Sequence, residues 1–288
     1  MPELPEVEAL AADLRGRLRD HAITRIHLAQ FSALKTFDPP LSALEGTLVD
    51  DVTRHGKFLD IEASGVHLII HLARAGWIRW REEVPTMAPK PSPKSTLAAR
   101  IVLETEQGLD VTEAGTKKSL AIYVVRDPLD VPGIASLGPE PMAEDFSVDT
   151  LGAILREAGR KQLKGVLRHQ GTIAGIGNAY SDEILHAARM SPYKPADSLS
   201  EEELARLYDA LRGTLAGAVA RSEGLAASEL KGEKKSNMAV HGRTGLPCPV
   251  CGDTVREVSF ADSSLQYCPT CQTGGKPLAD RRLSKLLK

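Results

Sequence analysis

The chain has four cysteines, standing as Cys248-Pro249-Val250-Cys251 and Cys268-Pro269-Thr270-Cys271 with sixteen residues between the pairs. No other feature narrows the possible structures as much. Two C-x-x-C pairs at this separation supply four thiolates to one tetrahedral zinc held by a β-hairpin. A disulfide framework would scatter its cysteines along the chain, and a redox dithiol needs only one pair. The four-sulfur site is closed, with no position for a catalytic water. One structural Zn2+ is therefore expected on Cys248, Cys251, Cys268 and Cys271. The spacing does not say what the hairpin touches, because zinc ribbons serve DNA, RNA and proteins alike.

At 288 residues the chain is long enough for more than one domain. Apolar residues at helical spacing (Leu4, Val7, Leu10, Ala11, Leu14, Leu18) predict an amphipathic helix over 4–20. Short runs that alternate apolar with polar residues follow at 22–31, 47–54, 57–63, 66–72, 76–81, 97–104, 108–113 and 119–125. Many short strands punctuated by glycine predict an antiparallel sandwich or barrel. Residues 84–96 are rich in proline and read as an extended, mobile loop. The proline-broken stretch 126–148 reads as an interdomain connection.

Beyond it the pattern turns helical, at 149–158, 161–168, 179–188 and 201–221, with Ser200 and Glu203 forming a capping box for the last. Between two of these helices lies Gln170-Gly171-Thr172-Ile173-Ala174-Gly175-Ile176-Gly177-Asn178, a glycine-rich turn that opens into a helix. Such a turn admits a phosphate at the helix N-terminus, or is simply a tight turn. The expected class is α+β and multidomain: an N-terminal antiparallel β-sandwich with an N-terminal helix, a helical domain, and a C-terminal zinc β-hairpin. The boundaries are set at 1–130, 131–235 and 236–288.

Charge says little in aggregate. The net charge is −2, but 156–170 holds five Lys/Arg against one acid, and 221–288 holds eleven against seven. Local basic faces of this kind suit a phosphate backbone, although solvated helix faces look the same. Aromatics make up only 4%, too few for base stacking to be a general theme. There is no apolar run of membrane-spanning length and no signal peptide, so a cytoplasmic, membrane-free protein is expected.

The N-terminus, Met1-Pro2-Glu3-Leu4-Pro5-Glu6-Val7-Glu8, is unusual for a chain end. Removal of Met1 before the small Pro2 leaves a secondary amine. An α-amino group titrates at about 7.7–8.0, low enough for a useful unprotonated fraction at neutral pH. Such an amine attacks an aldehyde-like carbon to give an iminium. The same residues also serve as an acidic helix cap, and the two readings are compatible.

Taken together, PELPEVE at 2–8, GIGNAYSDEIL at 175–185 and the terminal CPTCQ closely resemble the formamidopyrimidine-DNA glycosylase/endonuclease VIII family of base-excision repair enzymes. The likeness runs the length of the chain in order and includes Leu137-Gly138-Pro139-Glu140-Pro141. It implies that the helical domain is a helix-two-turns-helix. It also implies that Pro2 attacks C1′ of a flipped, damaged nucleotide, that β- and δ-elimination then cut the strand, and that Glu3 is the general acid/base supported by Glu6. Lys57 falls on the family's phosphate-gripping lysine, and Lys164 and Asn178 fall on its backbone-phosphate contacts. The implied partner is damaged or abasic DNA, bound by a monomer. The alternative is a DNA-binding member that has lost base excision and senses lesions or abasic sites.

Three departures place the chain in a divergent branch. Where the family commonly reads His-Leu-Gly-Met-Ser-Gly, this chain reads His71-Leu72-Ala73-Arg74-Ala75-Gly76, which puts Arg74 in the position of the wedge that fills the gap of a flipped base. The Arg- and Phe-bearing loop is replaced by Thr112-Glu113-Ala114-Gly115-Thr116-Lys117-Lys118-Ser119. The arginine expected at the zinc-hairpin tip is Ser263, preceded by Asp262, with Arg256 the candidate to compensate.

Overall fold

Helix α1 (Leu4–Leu18) begins at the acidic proline cap and ends two residues before the sequence pattern does. Its apolar stripe of Leu4, Val7, Leu10, Ala11, Leu14 and Leu18 is at most 1% exposed, so the helix is pinned by one face. The structure, a computed structural model, describes residues 1–85, 87–89, 92, 95–260 and 263–279. Thr86, Lys90, Pro91, Pro93 and Lys94 of the proline-rich loop lie outside the described residues, as does the end of the basic C-terminal stretch beyond 279.

The alternating runs become β1 (Ala22–Leu28), β2 (Thr47–His55), β3 (Phe58–Ala63), β4 (Val66–His71), β5 (Gly76–Arg81), β6 (Leu97–Leu103), β7 (Gly108–Glu113) and β8 (Ala121–Val125). The first is shorter than expected because Phe31–Ala33 turn into a 3-10 helix. The order is β5-β7-β6-β1-β2-β3-β4-β8, antiparallel throughout. The two halves close as a sandwich. Ile26 and Leu28 of β1, Ala99 and Ile101 of β6 and Val111 of β7 meet Leu68 and Ile70 of β4 and Ile122 of β8 around one apolar gap. Each of the fully buried Ile, Leu and Val side chains among them is worth about 1.5–3 kcal/mol.

After the short α2 (Pro132–Ala135) come α3 (Val148–Ala158), α4 (Leu163–Arg168), α5 (Asn178–Ala187) and α6 (Glu201–Ser222). The capping box at the start of α6 forms: Ser200 N donates to Glu203 Oε2 at 3.1 Å, and Glu203 N to Ser200 Oγ at 3.2 Å. The sequence pattern missed α7 (Leu230–Ser236), which carries few apolar residues. The chain closes with the hairpin β9 (Arg256–Ser259) and β10 (Ser264–Tyr267), then α8 (Pro269–Thr273).

The described chain forms two compact units, Met1–Ser136 with Ser222–Leu230, and Leu137–Arg221 with Lys231–Lys288. Residues 222–230 return to the sandwich because Ala227 and Leu230 bury in its core and Trp77 Nε1 donates to the Ala227 carbonyl at 3.0 Å. The zinc-type hairpin belongs to the second unit.

Candidate active site and metal centre

The first turn of α1 packs two carboxylates together. Glu3 is the N-cap and Glu6 the N3 residue of a reciprocal capping box, with Glu3 N donating to Glu6 Oε2 at 2.8 Å. The two are 2% and 1% exposed, and Pro2 beside them is buried while Met1 projects outward. The helix cap and the acid pair are thus one arrangement at the positive end of the helix dipole.

Lys57 sits at the tip of the two-residue hairpin between β2 and β3, where His55 pairs with Phe58 and Gly56 takes φ 57°. A positive φ at that place is what tight hairpins require and what glycine supplies. Arg54 ties this turn to α1, its Nε donating to Glu8 Oε2 at 2.7 Å and its Nη1 to the Gly56 carbonyl at 3.1 Å. Lys57 is buried, at 8% exposure. Across the sheet His71 packs on Phe58, ring centroids 4.6 Å apart. Burial, and then the Lys57 charge, hold the His71 imidazole down at about 4 from its ordinary 6.5.

That depression has a measurable consequence. Between pH 6.5 and 4 the unfolded chain binds a proton at His71 that the folded chain refuses, so stability falls as pH falls through that window. The contribution is about 3 kcal/mol at most. His71→Asn is expected to flatten the urea-midpoint profile between those pH values relative to wild type. Acid release of zinc is common to both proteins and cancels in the difference. Parallel profiles would refute the assignment.

Arg74 lies exposed in the turn between β4 and β5, a turn closed by Gly76 N donating to the Leu72 carbonyl at 2.8 Å. Ala73 takes φ 49° there, a conformation costing a non-glycine residue about 1–2 kcal/mol. The replacement segment after β7 is braced against this turn, with Ala114 N donating to the Ala75 carbonyl at 3.2 Å. Its anchor is fully buried Glu113, whose Oε1 accepts from Ser119 N at 2.7 Å and Leu120 N at 3.0 Å. In sequence Glu113 stands out only as part of a changed loop.

In the second unit the glycine-rich connection is clamped by Leu137-Gly138-Pro139. Gly138 N donates to the Gln170 carbonyl at 2.9 Å and Ala174 N to the Pro139 carbonyl at 3.0 Å. A side chain on Gly138 would strike the Thr172 backbone at 2.6 Å, which accounts for glycine there. Lys164 requires a correction. Its ammonium is turned inward, 5% exposed, donating to the Asn178 carbonyl at 3.0 Å, Ser181 Oγ at 2.9 Å and Asp182 Oδ1 at 2.6 Å. Three donors with three acceptors leave none for a phosphate. The exposed cation beside the start of α5 is Arg168, whose Nη1 lies 3.5 Å from Asn178 Oδ1. Asn178 itself is a brace, its Nδ2 donating to the Ser264 carbonyl at 2.8 Å.

Buried Asp182 and Glu183 organise this unit, and neither is singled out by spacing. Asp182 Oδ2 also accepts from His241 Nδ1 at 2.8 Å and Gln266 N at 3.2 Å. Glu183 accepts from the amides of Ala239, Val240 and His241 at 2.7, 3.0 and 2.8 Å. Burial raises the Glu183 carboxyl above its usual value, against the pull of those three amides.

The four cysteine sulfurs lie within 4.8 Å of one another, with Cys251 and Cys268 at 3.3 Å and Cys248 and Cys271 at 3.9 Å. Thiolates about 2.3 Å from a tetrahedral zinc stand about 3.8 Å apart, so the donor set fits one Zn2+. Burial pushes the Cys268 thiol up to about 11, whereas hydrogen bonds from neighbouring backbone amides lower Cys248 and Cys251, and a bound cation favours the thiolate at all four. Gln272 completes the hairpin base, accepting from Cys268 N at 2.9 Å and donating to the Met190 carbonyl at 3.0 Å. Arg256 stands away from the hairpin tip. It pairs with Tyr267 at the opposite end of β9, about 10 Å along the strand. Ser263 receives Phe260 N on its carbonyl at 2.7 Å, whereas Ala261 and Asp262 lie outside the described residues.

Comparison with known proteins matches three segments of the chain. Family models described as the formamidopyrimidine-DNA glycosylase N-terminal domain, its H2TH domain, and the zinc finger found in FPG and IleRS match residues 1–121, 137–229 and 245–274. A formamidopyrimidine-DNA glycosylase of Thermus thermophilus is 35% identical over 96% of this chain and 100% of that protein. An uncharacterized formamidopyrimidine-DNA glycosylase-like protein of Mycobacterium tuberculosis is 60% identical over 53% of this chain and 95% of that protein. The crystal structure of the MutM (Fpg) protein from Thermus thermophilus superposes with a TM-score of 0.79 at 33% identity, covering 96% and 100% of the two chains. That of Lactococcus lactis Fpg non-covalently bound to abasic-site DNA gives 0.81 at 26%, covering 94% and 99%.

Proposed function

The chain belongs to the formamidopyrimidine-DNA glycosylase family, and from that premise we propose that it is a base-excision-repair glycosylase with abasic-site lyase activity, working through Pro2. The observation that carries this reading is the buried pair Glu3 and Glu6 packed beside Pro2 at the head of α1. Once Met1 is removed, the Pro2 nitrogen bonds to C1′ of a flipped nucleotide as the glycosidic bond breaks, and the proton displaced from that nitrogen leaves on the departing base. Glu3 protonates the sugar oxygen as the ring opens, leaving a Pro2–sugar iminium. The iminium acidifies C2′. Loss of that proton expels the 3′ phosphate, and a second elimination expels the 5′ phosphate. Glu6 holds Glu3 in place and balances the cation.

Lys57 takes a phosphate beside the lesion, and Arg168 and the helix start at Asn178 are the backbone-phosphate contacts of the second unit. Arg74 occupies the place of the wedge. A guanidinium fills the vacated stack through planar stacking and hydrogen bonds, so the opposite-base preference should differ from that of a methionine wedge. The zinc is structural. Among the described residues no helix is long and apolar enough to cross a membrane. The partner we propose is damaged or abasic DNA in a bacterial cytoplasm, bound by a monomer.

The test is borohydride trapping on abasic-site DNA alongside a panel of lesion duplexes and single strands. A covalent protein–DNA adduct is the expected result. No adduct from correctly processed protein that still binds the same DNA would sink the lyase reading and leave the lesion sensor. Binding should also weaken steeply between low and moderate salt, since each phosphate contact releases counterions.

A further inference from the structure

Helix α5 carries three polar side chains four residues apart, Asn178, Asp182 and His186, and therefore on one face. All three reach the zinc hairpin and its approach. Asn178 Nδ2 meets the Ser264 carbonyl, Asp182 Oδ2 meets Gln266 N, and His186 Nε2 lies 3.2 Å from Cys248 Sγ. The first two contacts match helix to strand: four helical residues rise about 6 Å and two strand residues about 6.8 Å. The third contact reaches the metal-binding cluster itself. His186 is 5% exposed and Cys248 3%, so the contact is shielded from bulk solvent.

We propose that His186 is a positioning residue for the zinc centre, donating its Nε2–H to the Cys248 thiolate and so joining the metal to the helix whose first turn meets the DNA backbone. A zinc-bound thiolate has no proton to give, which makes Nε2 the donor. The bond disperses charge from one of four crowded thiolates and fixes the direction of its lone pairs toward the metal. Glu183, one residue beyond Asp182, holds the amides of 239–241 and so steers the chain toward Cys248. Zinc retention and the position of α5 are then linked, and the linkage is reciprocal. DNA that orders the start of α5 tightens the metal, and the metal tightens DNA.

The experiment uses the full zinc-loaded chain and a chromogenic chelator, with and without abasic-site duplex. The proposal rests on the zinc centre, which one equivalent of zinc per wild-type chain establishes separately. His186→Leu is expected to weaken zinc retention about 10- to 100-fold and to abolish the slowing of zinc release by DNA. His186→Gln, whose amide N–H donates from a similar reach, should recover most of both. Wild-type retention in His186→Leu would overturn the proposal, as would a His186→Gln protein no better than the leucine variant. Should the leucine variant not fold, wild-type protein loaded with an NMR-active cadmium isotope decides. Scalar coupling between the metal and the His186 ring proton is expected, and its absence overturns the assignment.

Discussion

A chain carrying an uncleaved extension before Pro2 is expected to lose borohydride trapping and strand cleavage on abasic DNA by at least about 10³-fold while still binding that DNA. The extension converts the secondary amine to an amide, whose lone pair is delocalised and cannot attack a carbon centre. The surrounding structure predicts little else to change. Met1 already projects outward at 48% exposure, so a longer chain leaves by the same route without disturbing the buried Glu3 and Glu6. Glu3→Gln is the companion variant. It keeps a side-chain acceptor for the helix cap but removes the proton donor, so it should slow ring opening and leave the fold intact. An extended chain that traps as well as the processed one would eliminate Pro2 as the nucleophile. Some lysine would then have to be the amine, at the disadvantage of an ordinary value near about 10.4.

The second large effect concerns stability. Asp182→Ala is expected to destabilise the second unit by about 3–5 kcal/mol, because it strands the buried ammonium of Lys164 without its counter-charge. The same change orphans Gln266 N and unpairs His241, loosening β10 as well. Hydrogen exchange at the amides of His241 and Gln266 would report it, while the sandwich amides should stay protected. If Asp182→Ala left both regions protected, Lys164 would have another use, and the phosphate contact expected from the resemblance would return. The salt slope separates the two roles. A lysine on phosphate lowers the slope by about one on removal, whereas a folded Lys164 variant should keep it.

Much of the fold was legible because its signals are local. Strand alternation, the apolar stripe of α1, the Ser200–Glu203 cap and the cysteine spacing each depend on residues within a few positions of one another. The pairing of carboxylates at the N-terminus was legible for the same reason, since Glu3 and Glu6 stand three residues apart. The two readings of that stretch, helix cap and acid pair, proved to be one geometry, because an N-cap and its N3 partner stand where a pair of carboxylates must stand to share a site.

What only the tertiary structure decided is the allocation of charges. Lys164, Arg168 and Arg256 look alike in sequence, as basic residues on polar segments. Burial divides them: the first is spent on Asp182, the second faces solvent beside Asn178, and the third stands at the wrong end of its hairpin. The Asn178–Asp182–His186 face is periodic in sequence, yet its meaning depends on β10 and Cys248, the nearest of which lies more than sixty residues away in the chain. A polar side chain acquires a role only from the partner that the fold brings within about 3 Å, and pairing across such separations is set by packing rather than by spacing. The sequence by itself therefore determined α1, the strands of the sandwich, most of the longer helices and the metal donors. The tertiary structure determined which of the basic residues are held in buried ion pairs and which face solvent.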